Sequence, residues 1–197
     1  MVHVVGTIAK ASGFLVQTEL PLAVLTLPSP TPPLSGRMDL VVTSGAFNTN
    51  ILADVTITHP FPSHPSRTTP PMTHPLHFTL LKEAQKRHKY NNTASLIGAS
   101  VFPLVAETFG ALGPSFQKFL HICVNGYFQR IFLSHPTREE IHKSVIMRSW
   151  RSRISCALQK ANARLLFSKA SRSSNANQSG QRPHYVDITE VLAARIS

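Results

Sequence analysis

Two aspartates and a set of lysines are the residues best placed to do chemistry in this chain. Asp39 opens the stretch Asp39-Leu40-Val41-Val42-Thr43, and Asp54 opens Asp54-Val55-Thr56-Ile57-Thr58. Both are rich in β-branched and aliphatic residues, and residues 44–50 between them carry the Gly and Asn of a turn. The pattern predicts a hairpin that brings both carboxylates to one end of a sheet. Two carboxylates about 4 Å apart repel by about 4 kcal/mol at an effective dielectric of 20. A hard divalent cation, Mg²⁺ or Mn²⁺, removes that repulsion and takes oxygen ligands. When bound it lowers the pKa of a water and polarises a phosphate. Lys86 or Lys89, on a later helix-like segment, would orient the water or stabilise charge developing on the phosphate. The chemistry indicated is metal-dependent phosphodiester cleavage, with Asp39 and Asp54 as metal ligands. Only nine of 197 residues are acidic, so two on neighbouring strands say more than they would in an acidic chain. The competing reading makes them strand-end acids that cap turns.

Other candidates are weaker. Glu19, on the first strand, is a possible third metal ligand, set against an ordinary surface acid. Glu107 follows an apolar strand and fits a structural, turn-capping role better than a chemical one. Lys82, Arg148, Arg151 and Lys160 are candidate phosphate contacts, although cations on a helix also serve simply as its solvated face. His59, His64, His74 and His77 match no compact zinc spacing, and no cysteine accompanies them. They read as members of a solvated loop. His88 reads as a helix-face residue.

The elements that must position these groups follow from periodicity and punctuation. Residues 2–12 read as a short helix stopped by Gly13. Phe14 to Glu19 reads as a strand, with Leu22 to Leu27 as its extension. Pro28 to Pro33 breaks the chain, and the two Asp strands follow. Residues 59–76 form a proline-rich insertion, longer than ordinary connections. Phe78 to Tyr90 reads as a helix, with Phe78, Leu81, Ala84 and His88 near one face and Lys82, Lys86 and Lys89 on another. Ser100 to Val105 is an apolar strand. Ser115 to Phe128 is a helix with Phe116, Phe119, Leu120 and Cys123 inward. From Thr137 to Lys169 runs a long basic helix or helix pair, striped by Met147, Trp150, Ile154, Leu158, Ala161 and Leu165. The Ser/Asn/Gln-rich run from Ser171 to Gln181 reads as disordered. The order predicts an α/β fold: a small mixed sheet flanked by helices, with a long C-terminal helix. The expected divisions are a core over 1–133, a basic helical segment over 134–170 and a disordered tail over 171–197.

Composition bounds the partners. A formal charge of +11 and 42% hydrophobic residues fit a globular domain with a polyanionic partner, DNA first and an anionic membrane surface second. Cys123 and Cys156 form no CxxC or zinc pattern, which fits a reducing compartment, nucleus or cytoplasm. No apolar run approaches the roughly 20 residues of a membrane span, and the N-terminus lacks the pattern of a signal peptide.

Several segments, taken in order, resemble the restriction-endonuclease-like domain that follows the reverse transcriptase in some non-LTR retrotransposons. Residues 11–19, Ala-Ser-Gly-Phe-Leu-Val-Gln-Thr-Glu, are similar to its opening helix end, strand and acid. Arg37-Met38-Asp39-Leu40 is similar to its Arg-Pro-Asp strand, with Met38 in place of the usual proline. Residues 54–60, Asp-Val-Thr-Ile-Thr-His-Pro, resemble its second acidic strand, and residues 86–90, Lys-Arg-His-Lys-Tyr, its Lys-x-x-Lys-Tyr helix. Residues 102–110 resemble the following strand, and residues 150–163 the C-terminal helix. The resemblance spans most of residues 7–170. It implies a PD-(D/E)XK fold and Mg²⁺-dependent nicking of DNA. Under it Asp39 is the first metal ligand and Asp54 the second. Thr56 stands where that fold usually has its lysine, so Lys86 or Lys89 substitutes from the helix. The chain opens at Met1 just ahead of this region and carries the proline-rich insertion, so a stand-alone fragment of such a polyprotein is expected. The alternatives are a catalytically inactive nucleic-acid-binding remnant of the same fold, and a basic interaction protein with no nucleic-acid role.

Overall fold

Alternation of apolar residues along the central strands gives the sheet two buried faces. The structure, a computed structural model, describes residues 1–25, 36–44, 49–59, 76–134 and 143–178. Its elements in chain order are α1 (Val2–Ala11), β1 (Leu15–Pro21), α2 (Leu22–Leu25), β2 (Arg37–Ser44), β3 (Thr49–Thr58), α3 (His77–Leu96), β4 (Ser100–Glu107), α4 (Pro114–Ser134) and α5 (Lys143–Gln178). The four strands form one mixed sheet in the order β1-β2-β3-β4. β1, β2 and β3 run antiparallel, and β4 returns parallel to β3 after α3. A parallel return needs a crossover connection, which α3 supplies.

Leu40, Val42, Ile51 and Ala53 project to one side, with Phe102, Leu104 and Ala106 of β4. There they meet Val5, Ile8 and Ala9 of α1 and Phe116, Phe119, Leu120, Cys123 and Val124 of α4, spaced three and four apart as an amphipathic helix requires. Met147, Trp150, Ile154 and Leu158 of α5 join the same cluster. Each fully buried large side chain there contributes about 1.5–3 kcal/mol. Val41 and Leu52 face the other way and pack with Leu22, Tyr90 and Ala94. This second, smaller core is roofed by α3.

Glycine matters at both ends of the α1–α4 contact. Gly13 ends α1 with φ at +88°, as its position predicts. Gly126 of α4 passes so close to the first turn after α1 that a Cβ would lie 2.9 Å from the Ser12 carbonyl oxygen.

The mixed sheet, its flanking helices and the C-terminal helix agree with the expected architecture, and four details differ. Leu22–Leu25 is a short helical turn rather than an extension of β1. On α3 the buried residues are Thr79, Glu83, Tyr90, Thr93 and Ala94, whereas Leu81 is exposed and so are Ala84 and His88. Polar side chains with fixed partners face inward there, so the apolar pattern misassigns the face. The α5 stripe holds through Leu158, but Leu165 is 61% exposed. The helix itself continues to Gln178, into the run expected to be disordered. Of the expected disordered tail, residues 179–197 lie outside the described residues, as do residues 60–75 of the proline-rich insertion.

The chain divides into two compact units, Met1–Gln159 and Lys160–Ser197. The boundary thus falls inside α5 rather than near residue 133, because the first half of that helix is part of the core. In the second unit Leu165, Leu166 and Phe167 are exposed.

Candidate functional site

β2 and β3 pair with Leu40 opposite Ala53. The next step of that register sets Asp39 opposite Asp54, and directly opposed residues project from the same face. Asp54 shares the parity of Leu52 and Asp39 that of Val41, so both carboxylates lie on the α3 side of the sheet. Asp54 is 6% exposed. Its Oδ2 accepts a 2.8 Å charge-assisted hydrogen bond from Lys86 Nζ, and its Oδ1 accepts a 3.3 Å bond from the Thr56 hydroxyl. The Val55 N–H donates to Asp39 Oδ2 at 2.8 Å. Three adjacent residues of β3 therefore fix both acids: Asp54 by being one of them, Thr56 through its side chain, Val55 through its backbone.

The electrostatics follow from this placement. Burial pushes the Asp39 carboxyl above its ordinary pKa. The Val55 N–H acts against that rise, the charges of Asp54 and Glu19 add to it, and Lys86 opposes it. For Lys86, partial burial disfavours the ammonium, but the hydrogen bond and charge of Asp54, with Tyr90 and Asp39, outweigh it and leave the pKa raised. Lys86 also lies 5.9 Å from the centre of the Tyr90 ring.

The two candidate lysines are separated by the geometry. Lys86 meets Asp54, while Lys89 is exposed and sits over Tyr90 at 4.9 Å. Lys82, one turn before Lys86, contacts Gln85 at 3.2 Å. Glu19 falls at the register position opposite Asp39, between the pairs Thr18–Leu40 and Leu20–Met38, with φ at +58°. Its carboxylate forms an ion pair with Arg37. Among the described residues, no three His, Cys, Asp or Glu side chains gather as a cation site. Asp39 and Asp54 thus share a face, and Glu19, opposite Asp39, acts on it through its charge while its carboxylate pairs with Arg37. Arg148 and Arg151 are exposed on α5, whose apolar side packs on the opposite face of the sheet. Lys160 is exposed and belongs to the second unit. The His59 ring meets Phe109 edge-on at 5.6 Å, and His77 opens α3. His64 and His74 lie outside the described residues.

Sequence reasoning missed what holds α3 in place. Pro114 begins α4, where its fixed φ suits a first helical turn, and the amides of that turn lack intrahelical acceptors. The buried Glu83 carboxylate accepts the Ser115 N–H at 3.0 Å and the Ser115 hydroxyl at 2.6 Å. A carboxylate there is also favoured by the helix dipole. Arg87 reaches both Glu83, at 3.3 Å, and the Ser115 hydroxyl. Thr79 donates to Glu107 at 3.1 Å, so the Glu107 side chain ties β4 to α3 rather than capping the turn that follows it. Gly113 makes room: a Cβ there would collide with Glu83 Oε1 and lie 2.6 Å from Thr79 Cγ2. The Gly113-Pro114-Ser115 sequence signals a helix start, but nothing local points to a partner 32 residues away.

No protein-family model matches this chain, and no curated protein matches it. Among the described residues, no helix is long and apolar enough to cross a membrane.

Proposed function

We propose that the first unit is an endonuclease-like domain of the PD-(D/E)XK type, related to those of retrotransposon polyproteins, that nicks DNA with Mg²⁺ or Mn²⁺. The observation that carries this reading is the 2.8 Å contact between Lys86 Nζ and Asp54 Oδ2, beside a second carboxylate, Asp39, on the neighbouring strand. Two opposed carboxylates on one face are oxygen donors of the kind a hard divalent cation takes, so Asp39 and Asp54 are the residues that would hold it. When bound, the cation supplies an activated water and polarises the scissile phosphate.

The chain's own groups have separable tasks. Val55 holds the Asp39 carboxylate through its amide, and Thr56 holds that of Asp54 through its hydroxyl, so both acids are oriented beforehand. Preorganised charges of this sort stabilise a transition state without reorganising during the reaction. Lys86, kept cationic by its acidic neighbours, stabilises negative charge that develops on the phosphate. Its place on α3 also accounts for a threonine at position 56.

The test is nicking of a supercoiled plasmid by the purified protein. Cleavage with Mg²⁺ or Mn²⁺ but not with Ca²⁺ alone, lost in Asp54→Ala, supports the reading. Cleavage that persists in Asp54→Ala identifies a contaminant or another site. A wild type that binds DNA but never cuts it identifies an inactive remnant of the same fold.

A further inference from the structure

The Asp54 site lies on the α3 side of the sheet, and the opposite layer holds a second concave surface. Between α4 and α5 runs a trough of about 870 Å³. Its described lining includes His121 and Asn125 from α4 and Lys143, Arg148, Arg151 and Ser155 from α5. Arg151 and Ser155 also line an adjoining hollow of about 370 Å³ with Gln117 and Gly110, so the two hollows share a wall. Three features define its chemistry. First, every charged side chain among the described lining residues is a cation, in a protein of net charge +11. Second, the described lining includes the amides of Asn125 and Gln117 and the hydroxyls of Ser144, Ser152 and Ser155, groups that join Arg and Lys in contacting phosphate oxygens. Third, among the described residues no Phe, Tyr or Trp lines either hollow, so the described lining offers backbone contacts rather than the base stacking by which single strands are held.

The trough is also built rather than accidental. Lys143 Nζ donates to Asn125 Oδ1 at 2.9 Å across the two helices and lies 5.6 Å from the Phe128 ring centre. Met147 and Val124 form a buried apolar floor. Arg148, Arg151 and Ser155 recur along α5 at steps of three and four and therefore share one face. From Lys143 to Ser155 that face is about 18 Å long at 1.5 Å per residue. This suits several successive phosphates rather than one small anion.

We propose that this trough grips the sugar–phosphate backbone of duplex DNA without reading its sequence. The choice of DNA among polyanions rests on the reading of the Asp54 site, but the grip itself is independent of cleavage. Binding is therefore measured in chelator, by fluorescence anisotropy with two duplexes of unrelated sequence, from 50 to 300 mM salt. The wild type is expected to bind both duplexes alike. The triple variant Lys143→Gln/Arg148→Gln/Arg151→Gln should lose about 2.7 from the slope of log K against log salt, at about 0.9 per phosphate contact. All three side chains are exposed, and circular dichroism checks that the variant folds. Lys10→Gln/Lys118→Gln, outside the lining, should keep the wild-type slope. Cys156, exposed on the rim, gives a second readout: duplex should slow its alkylation in the wild type and not in the triple variant. An unchanged slope in the triple variant overturns the proposal. So does binding to phosphatidylserine vesicles without binding to duplex, which would make the surface a membrane contact. Loss of nicking with the trough slope intact would remove the nuclease reading and leave the DNA grip standing.

Discussion

Lys86 on α3 and Asp54 on β3 meet at 2.8 Å although 32 residues separate them in the chain. The contact joins the crossover helix to the strand whose next two residues orient both acids. Replacing Lys86 and Lys89 separately should therefore give different results. Lys86→Ala leaves a nearly buried carboxylate without its charged partner and should cost about 1.5–3 kcal/mol in urea denaturation. It should also lower nicking by about 10²-fold or more, the scale of removing one preorganised donor. Lys89→Ala, at an exposed position, should stay within about 0.5 kcal/mol of wild type and keep most activity. Equal losses in the two variants would remove the special role of Lys86.

Asp39 should behave as a functional residue held at a cost to stability. Its pKa in the folded chain is raised above the ordinary 3.8. Between 3.8 and the raised value the folded chain thus binds more protons at this group than the unfolded chain does. Its contribution to stability falls as pH rises through that interval, and the penalty is complete above it. Asp39→Asn keeps an oxygen to accept the Val55 N–H and removes the charge. The variant should melt higher than wild type at pH 7, with the difference vanishing below about pH 3.8, while nicking is lost. A lower melting temperature at pH 7 would contradict this account.

The Glu83 brace offers a test of positioning at a distance. Glu83→Ala leaves the Ser115 amide and the Arg87 guanidinium without the carboxylate that holds them, and should cost about 1–3 kcal/mol. Gly113→Ala forces a methyl into the space of Glu83 Oε1 and Thr79 Cγ2 and should cost about 1–3 kcal/mol as overpacking. Both should reduce nicking in proportion to the loss of Lys86 position, read as a weakened Lys86–Asp54 coupling in a double-mutant cycle. Full additivity with Lys86→Ala would show that the brace serves only α4.

Along α5 the same chemical change should have two outcomes. Leu158→Ala, in the core, should cost about 2–5 kcal/mol. Leu165→Ala, at an exposed position, should change stability by no more than about 0.5 kcal/mol. Urea denaturation of the two variants checks both values.

The cysteines extend the same contrast to reactivity. Burial pushes the Cys123 thiol up to about 12, with Ser12 acting in the opposite sense, so it should resist alkylation at pH 8 in the folded protein. Cys156 is exposed and should react. Thiolate availability governs the rate, so mass spectrometry after brief treatment with iodoacetamide should find one modified site.

Much of this was legible in the sequence, for physical reasons. The β-branched content of residues 39–43 and 54–58, with Gly and Asn between them, announced the hairpin; its register then sets Leu40, Val42, Ile51 and Ala53 on one face and Asp39 and Asp54 on the other. The amphipathic spacing of Phe116, Phe119, Leu120 and Cys123 likewise fixed the inner side of α4. The inner side of α3 was not legible, because Thr79 and Glu83 are buried by partners on β4 and α4 rather than by apolarity. For the same reason the sequence does not say which of Lys86 and Lys89 meets Asp54: that depends on the helix face presented to β3. The helical turn at Leu22–Leu25 and the end of the buried stripe at Leu158 were equally hidden, since local apolarity does not state what lies opposite.

Glu83 and Lys86 stand three residues apart on one helix, one held by the start of α4 and the other holding Asp54. Together they pin the rotational phase of α3 about its own axis. One neutral residue inserted between them would turn everything after it by about 100°, carrying the ammonium off the carboxylate while every existing residue and the net charge were kept. The catalytic reading of this domain is thus encoded as much in an interval as in residue identities. A length change of one between Glu83 and Lys86 should be a more thorough disabling event than most substitutions along α3.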